Sequence, residues 1–214
     1  MKTCYIIGAG DVADLQLKAD NSDYIICADG GYKYKNLLGR ECDIVVGDFD
    51  SFGRVPETEN KIVAPTEKDE TDMMLAVNLG FERGFNNFII LGALGGTRND
   101  HSVANIQLLH YIASKGARGT LYHGDEVFTA FSDGTILFGA ENQGYVSVFS
   151  LTDESRGVTI RNLKYTLEDA TLYSYMPIGV SNEFIGKESS ITVENGALLV
   201  VYKNKEESYE RFLL

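Results

Sequence analysis

The chain has 214 residues, a formal net charge of −12 and a hydrophobic content of 44%. Such a chain is long enough to bury a substantial core without disulfides, as one large domain or two small ones. Its acidic balance argues against nucleic acid as a partner, because contact with a phosphate backbone needs a basic surface. Without a secretory pattern or an apolar run near the roughly 20 residues of a membrane helix, we expect a cytoplasmic location and no membrane partner.

Through the first half of the chain, short apolar runs alternate with helical patterns. The predicted strands are Cys4–Gly8, Tyr24–Ala28, Ile44–Val46, Ile62–Ala64 and Phe88–Leu91. Two amphipathic helices are predicted over Asp69–Gly84 and Asn99–Lys115, where apolar residues recur three or four positions apart. The apolar face of the second helix consists of Val103, Ile106, Leu109 and Ile112. Alternating strands and helices predict a parallel sheet flanked by helices.

After Leu121 the pattern becomes all-β. The predicted strands are Val127–Phe131, Thr135–Phe138, Tyr145–Leu151, Gly157–Ile160, Ala170–Tyr173, Ser190–Val193 and Ala197–Tyr202. The pairs Asp133-Gly134 and Asn195-Gly196 separate neighbouring runs and predict hairpin turns. We therefore expect an α/β fold, with a Rossmann-like parallel-sheet domain over residues 1–121 and an antiparallel β-sandwich domain over residues 122–214.

The first predicted strand runs into Gly8-Ala9-Gly10-Asp11-Val12-Ala13, which fits a dinucleotide-binding fingerprint. Asp29 lies about 20 residues further on, where such a site uses an acid to bind a ribose. A tight strand-to-helix turn favours the same glycines for purely structural reasons. An NAD-dependent oxidoreductase is therefore one hypothesis, and it leaves the acidic clusters further along the chain unexplained.

Acidic residues follow two further predicted strands, at the sheet edge where open α/β folds bind ligands. Asp29 precedes two glycines, an arrangement that also suits a turn closed by an Asx hydrogen bond. Asp48 and Asp50 alternate in an extended segment, so both side chains point the same way. Such a pair favours a neutralising cation, and hard oxygen ligands suit Mg²⁺. The alternative is that one of the two caps a turn and the other faces solvent.

A third acidic cluster, Glu67-Lys68-Asp69-Glu70-Thr71-Asp72, immediately precedes the apolar spacing of the first helix. Asp69 and Asp72 are three positions apart and therefore share a face at the helix N-terminus. A capping role explains one of them, since acidic residues stabilise the start of a helix. The spacing is equally compatible with a carboxylate that faces a ligand.

A glycine-rich segment over residues 92–101 opens the second helix. Gly95 and Gly96 allow backbone amides to approach an anion, and Arg98 offers a planar fork for phosphate. The structural alternative is a turn in which Asp100 or the residue before it caps the helix and Arg98 pairs with a surface acid.

Together these clusters predict a site for a polyphosphate and a divalent cation at the carboxyl ends of several strands. The chain has neither a GxxxxGK[ST] loop nor the motifs of protein kinases, which excludes the common kinase designs.

Four motifs in this order resemble those of the thiamine pyrophosphokinase family. They are ADGG at 28–31, GDFDS at 47–51, EKDETDMMLA at 67–76 and LGALGGTRNDHSVAN at 91–105. The resemblance covers nearly the whole chain and implies transfer of pyrophosphate from ATP to the hydroxyl of thiamine, giving thiamine diphosphate and AMP. It also implies Mg²⁺ as cofactor and a homodimer with active sites between the subunits.

The resemblance further implies roles for individual residues. The expected metal ligands are Asp48, Asp50 and Asp72, which with Arg98 form the expected catalytic set. The residues expected near the nucleotide are Asp29, Gly30, Gly95, Gly96, Arg98 and Asp100.

On the substrate side, Asp69 and Thr71 belong to the same family motif. The segment Gly179–Phe184 looks like the part of the family that contacts thiamine, through Ser181 and Asn182. The same residue types suit a β-hairpin turn equally well. The chain contains no tryptophan, so Phe184 or a tyrosine is expected to provide the surface that stacks on thiamine.

Two other functions remain compatible with these features. One is a pyrophosphokinase for a related heterocyclic alcohol such as a pterin, which the β-rich second half and its Ser181-Asn182 pair disfavour. The other is a non-catalytic nucleotide or thiamine sensor, which has no need of crowded carboxylates.

Overall fold

The computed structural model describes residues 2–12, 17–49, 56–65, 67 and 69–203, and the backbone of residues 210–213. The strands of the first half are β1 (Cys4–Ile7), β2 (Tyr24–Ala28), β3 (Ile44–Gly47), β4 (Lys61–Val63), β5 (Asn87–Leu91) and β6 (Arg118–His123). The strands of the second half are β7 (Glu126–Phe138), β8 (Tyr145–Ser150), β9 (Glu154–Arg161), β10 (Leu167–Tyr173), β11 (Asn182–Glu183), β12 (Ser189–Lys203) and β13 (Glu210–Leu213). The helices are α1 (Asp72–Glu82) and α2 (Asn99–Ser114), together with a 3-10 helix over Asp29–Tyr34. The chain therefore has a mixed α/β fold.

The first five strands form the predicted parallel arrangement. β1 pairs in parallel with both β2 and β5, β2 pairs with β3, and β3 pairs with β4. The strand order in this part is β6-β5-β1-β2-β3-β4, so β1 lies near the middle and β4 at the edge. β1, β2 and β3 are almost entirely buried, whereas every residue of β4 is exposed. The carboxyl ends of β1, β2, β3 and β5 consequently meet along one edge of the sheet.

The helices match the predicted ones with shorter or shifted boundaries. α1 begins at Asp72 because the Thr71 side chain accepts a hydrogen bond from the Met74 amide and caps the helix. α2 covers almost the whole predicted span, but its predicted apolar face is partly wrong. Val103 is 59% exposed, and the buried face instead contains Asn105 and Leu108 beside the expected Leu109 and Ile112. The 3-10 helix and β6 were not predicted.

The two predicted hairpin turns are wrong. β7 and β12 each run without interruption through the turn pair, and they pair with each other along their length. The register shifts between Val193 and Ala197, where Asp133 faces the extra residues of the other strand. Asp133 adopts a positive φ of 46° and its carboxylate accepts a hydrogen bond from the Gly196 amide at 3.0 Å. The turn-forming residues thus produce a bulge within two long paired strands.

The chain divides into two compact units, one of residues 1–108 and 119–124 and the other of residues 109–118 and 125–214. In the first unit, a buried cluster around the parallel strands includes Tyr5, Ile7, Cys27, Val45 and Phe49. In the second unit, β7, β8, β9, β10 and β12 pair in antiparallel fashion. Among the described residues, no helix has the length and apolarity needed to cross a membrane.

Candidate active site

Three carboxylates converge at the carboxyl edge of the parallel strands. Asp29 follows β2, Asp48 follows β3, and Asp72 is the first residue of α1. Each offers one oxygen atom, and these three atoms lie within 4.8 Å of one another. The sequence analysis predicted a role in the site for all three residues, but it placed Asp29 near the nucleotide and the other two on the metal.

Local backbone geometry holds two of these carboxylates in place. Asp29 begins the 3-10 helix with a positive φ of 43°. Gly47, at the end of β3, lies so close that a Cβ atom there would be 3.0 Å from the Asp29 Cα. Only glycine permits this approach without a shift of the backbone. Beyond Asp48, the Phe49 side chain is 2% exposed and belongs to the buried cluster of this unit, which anchors the loop.

The electrostatics of this group favour a cation. The Oδ1 atom of Asp29 is shielded from solvent and has no hydrogen-bond partner among the described residues. A buried carboxylate oxygen without a partner is costly, and two further carboxylates nearby increase the cost. A hard divalent cation removes both penalties, and Mg²⁺ is typically held by one or two carboxylates, phosphate oxygens and water. The donor set therefore fits Mg²⁺. Asp50, the remaining predicted ligand, lies outside the described residues.

A cavity of about 410 Å³ opens beside the carboxylates. Of the predicted site residues, those that line it are Asp29, Thr71, Asp72, Gly95, Gly96 and Arg98. Lining residues to which the sequence analysis assigned no role in this site include Gly8, Gly10, Asp11, Lys33, His101 and Asn105. Asn105 falls within the last family motif, so a signal for it was present, whereas Lys33 belongs to no motif.

The glycine loop over residues 92–96 is held from two sides. Asn105 is 5% exposed, and its side-chain amide donates a hydrogen bond to the Ala93 carbonyl at 2.7 Å. On the other side, the Gly96 amide donates to the Asp11 carboxylate at 3.1 Å. Gly95 and Gly96 have φ values of +76° and +73°, a region that favours glycine. The loop is thus preformed at the rim of the cavity.

The resemblance to a dinucleotide fingerprint has a structural explanation. The Gly8 and Gly10 amides donate hydrogen bonds to the carbonyls of Leu91 and Gly92, both at 2.8 Å. A Cβ atom on Gly10 would lie 2.6 Å from the Leu94 carbonyl oxygen. These glycines therefore let two loops pack against each other, and their amides are already hydrogen-bonded to the carbonyls of the neighbouring loop. Ala13, the last residue of the fingerprint, lies outside the described residues.

Arg98 and Asp100 form an ion pair at the rim. The Arg98 Nε donates to both carboxylate oxygens of Asp100 at 3.0 and 3.3 Å, and Nη2 donates at 2.8 Å. These bonds lower the pKa of Asp100 from 3.8 to about 2. Arg98 lines the cavity, whereas Asp100 lies outside its lining. The surface pairing considered as an alternative for Arg98 is present, with Asp100 as the acid.

The other predicted site residues of the first unit lie around this cavity. Gly30 is buried, and a Cβ atom there would lie 3.0 Å from the Ala9 Cβ. Asp69 is exposed and does not line the cavity, whereas Thr71 both lines it and caps α1. The capping role considered for an acid thus belongs to Thr71, and Asp72 is left to face the other carboxylates.

The segment expected to contact thiamine lies in the second unit. Ser181 is exposed with a positive φ of 60°, and its amide donates to the Ser147 hydroxyl at 3.1 Å. Asn182 is 6% exposed, and its side chain bonds both the amide and the carbonyl of Tyr165, at 2.9 and 2.6 Å. Asn182 therefore holds Tyr165, which is itself 61% exposed.

Similar proteins were found by sequence and by structure. A thiamine pyrophosphokinase of Bacillus subtilis (strain 168) is 27% identical over 211 residues, which cover 94% of this chain and 98% of that protein. The crystal structure of thiamine pyrophosphokinase from Bacillus subtilis matches with a TM-score of 0.82 at 24% identity, covering 95% of this chain and 100% of that one. Yeast thiamin pyrophosphokinase matches with a TM-score of 0.70 at 15% identity, covering 95% and 86% of the two chains. The structural matches show that the fold is shared.

Two family models assign the chain more directly. The model described as "Thiamin pyrophosphokinase, catalytic domain" matches residues 15–121. The model described as "Thiamin pyrophosphokinase, vitamin B1 binding domain" matches residues 135–199. Together they cover well over half of the sequence, in the order in which the four motifs and the all-β half occur. The chain therefore belongs to the thiamin pyrophosphokinase family.

Proposed function

We propose that this protein is a thiamine diphosphokinase, which transfers the pyrophosphoryl group of ATP to the hydroxyl of thiamine and gives thiamine diphosphate and AMP. Family membership supports this activity. The observation that carries it is the group of Asp29, Asp48 and Asp72 beside a cavity lined by glycines. In the reaction, the thiamine oxygen bonds to the β-phosphorus, the bond between that phosphorus and the bridging oxygen of AMP breaks, and the hydroxyl proton is released.

We further propose that Asp29, Asp48 and Asp72 hold Mg²⁺, with Asp50 as an additional ligand. When bound, Mg²⁺ neutralises charge on the phosphate oxygens and polarises them. The three carboxylates hold their oxygens within 4.8 Å of one another, so binding requires little reorganisation of the protein. Positioning and charge neutralisation are the main requirements of such a transfer.

For the nucleotide, we propose a site formed by Gly30, Gly95, Gly96, Arg98 and Asp100. Arg98 lines the cavity and carries a planar guanidinium that suits a phosphate. Its ion pair with Asp100 orients the guanidinium at the rim, so Asp100 contributes through Arg98. The positive φ values of Gly95 and Gly96 support close approach of a ligand to this backbone.

For thiamine, we propose Ser181 and Asn182 as binding residues. Asp69 and Thr71 are proposed for the substrate side because they belong to the family motif at 67–76. Ser181 is exposed and its hydroxyl is available to a ligand, whereas the Asn182 side chain holds Tyr165 in position. Exposed tyrosines and Phe184 are candidates for stacking on the thiamine rings. Acidic surroundings suit the positive charge of thiamine.

We also propose that the enzyme is a cytoplasmic homodimer, with a Rossmann-like domain over residues 1–121, a β-sandwich domain over residues 122–214 and active sites between subunits. Three free cysteines support a reducing compartment. Several large apolar side chains of residues 145–185 are exposed, which supports an interface in the second unit.

The direct test is to incubate the protein with ATP and thiamine, with and without Mg²⁺, and to quantify all products. Equal amounts of AMP and thiamine diphosphate, formed only with Mg²⁺, are expected. ADP with thiamine monophosphate contradicts pyrophosphoryl transfer. Turnover of a pterin alcohol but not thiamine supports the related kinase, and nucleotide binding without turnover of either supports a sensor.

A further inference from the structure

Lys33 lies in the proposed nucleotide cavity, although no sequence motif points to it. It lies on the 3-10 helix, four residues after Asp29, and it lines the cavity with an exposed side chain. Its Nζ atom donates a hydrogen bond to the Ala9 carbonyl at 2.9 Å. The same ammonium lies 4.7 Å from the centre of the Tyr34 ring. These two contacts define where the charge is held.

Neither contact neutralises the charge of Lys33. A carbonyl and an aromatic face each carry only partial negative charge, and no carboxylate of the described residues forms an ion pair with this ammonium. Lys35, two residues further on, differs in this respect, because its Nζ lies 2.6 Å from a carboxylate oxygen of Glu41. An ammonium has three N–H donors, and Ala9 uses one of those of Lys33.

The charged groups of the site favour a further cation in the cavity. Arg98 is the other residue with a full positive charge among the described cavity lining, and three hydrogen bonds tie it to Asp100. Asp29, Asp48 and Asp72 bring three carboxylates to the same site. The phosphates of ATP add further negative charge at this cavity, so an additional cation that faces them favours their binding.

We propose that Lys33 is a phosphate-binding residue for ATP, with its ammonium positioned by the Ala9 carbonyl and the Tyr34 ring. Lysine binds phosphate as a compact point charge and retains free donors after one is used by the protein. This role rests on the proposed function of the same cavity. The contribution of Lys33 to the binding affinity is expected to increase with the number of phosphates on the ligand, because the ammonium attracts the charged phosphates and not the adenosine.

The test uses three variants of the whole protein. Lys33→Met removes the charge and retains an aliphatic side chain over Tyr34, whereas Lys33→Arg keeps the charge. Lys35→Met is the matched control, because it removes the same charge from the adjoining turn but outside the cavity lining. Dissociation constants of ATP and of adenosine are measured by calorimetry in Mg²⁺, and the melting temperature of each variant is recorded.

Lys33→Met is expected to weaken ATP binding by at least about tenfold, in line with loss of a charge-assisted hydrogen bond. Its affinity for adenosine is expected to stay that of the unmodified protein, and Lys33→Arg and Lys35→Met are expected to bind ATP within about threefold of it. If Lys33→Met weakens the binding of ATP and of adenosine equally, Lys33 only holds the Ala9 and Tyr34 segments together, and the proposal is overturned. The proposal is also overturned if Lys33→Met and Lys35→Met give the same result. If the unmodified protein makes thiamine diphosphate and Lys33→Met binds ATP normally, only the Lys33 proposal fails. If the unmodified protein binds no ATP, both proposals fail.

Discussion

At the scale of single residues, the site depends on carboxylates that are distant in sequence. The sequence analysis placed Asp48 and Asp72 on the metal and Asp29 near the nucleotide of the same site. It did not indicate that the Asp29 oxygen lies within 4.8 Å of those from the other two. That proximity depends on the close approach of β3 to the start of the 3-10 helix, which a one-dimensional pattern does not contain.

Replacing a carboxylate of this group is expected to abolish metal-dependent turnover. Asp29→Asn or Asp72→Asn should lower kcat by more than about a hundredfold, since even outer-shell partners of a metal contribute 10–100-fold. Both variants should remain folded, because removal of one negative charge relieves the repulsion among the carboxylates. Steady-state kinetics across a Mg²⁺ titration measure the effect. Asp153→Asn, on an exposed residue of the second unit, is the control, and normal turnover in Asp29→Asn and Asp72→Asn contradicts the metal assignment.

The ion pair between Arg98 and Asp100 lowers the pKa of Asp100, and this shift can be measured. The folded pKa of about 2 lies below the ordinary value of 3.8. Any stabilisation of the folded protein by this shift is therefore fully present when the pH is above the ordinary pKa of 3.8. It is lost as the pH falls through the folded pKa of about 2. Arg98→Gln should return the midpoint of Asp100 toward 3.8, as read from carboxyl-carbon chemical shifts. An unchanged midpoint in that variant contradicts the pairing.

At the scale of elements, the sequence located strands and helices more accurately than it located turns. The parallel strands were predictable because continuous apolar runs signal burial on both faces. The Asp133-Gly134 and Asn195-Gly196 pairs were misleading, since residues that tolerate positive φ serve a bulge as well as a hairpin. Only the pairing of β7 with β12 distinguishes the two cases.

The start of α1 provides a test at this scale. Thr71→Ala removes the hydrogen bond to the Met74 amide, and we expect a loss of about 1 kcal/mol in the free energy of unfolding. Urea denaturation measures this change. Thr71→Ser retains the hydroxyl and should keep most of the stability. Equal stability of the alanine and serine variants contradicts a capping role for Thr71.

At the scale of the whole molecule, exposed apolar side chains are concentrated in one stretch of the second unit. Tyr145, Tyr165, Tyr175, Ile178 and Val180 are each between 49% and 74% exposed. Burial of such side chains is a common driving force for association. This concentration supports the proposed homodimer, and only the structure shows which apolar side chains of this stretch are exposed.

Light scattering coupled to size exclusion is expected to give a mass about twice the 23.6 kDa of one chain. The double variant Tyr175→Ser, Ile178→Ser should shift the protein to the monomer, because it removes two of the most exposed apolar groups. Val63→Ser is the control, since Val63 is 54% exposed on the edge strand of the other unit. A monomeric unmodified protein, or an unshifted double variant, contradicts this interface.

By itself, the sequence determined the alternation of strands and helices, the change to an all-β second half and the family to which the chain belongs. These features follow from local periodicity and from short motifs, which depend on residues close together in the chain. Tertiary structure decided which residues share the site. It brought Asp29 to Asp48 and Asp72, assigned the early glycines to loop packing, and placed Lys33 in the cavity. The physical reason is that parallel pairing aligns the carboxyl ends of strands that are distant in sequence, and hydrogen bonds between their loops then select which groups face the ligand.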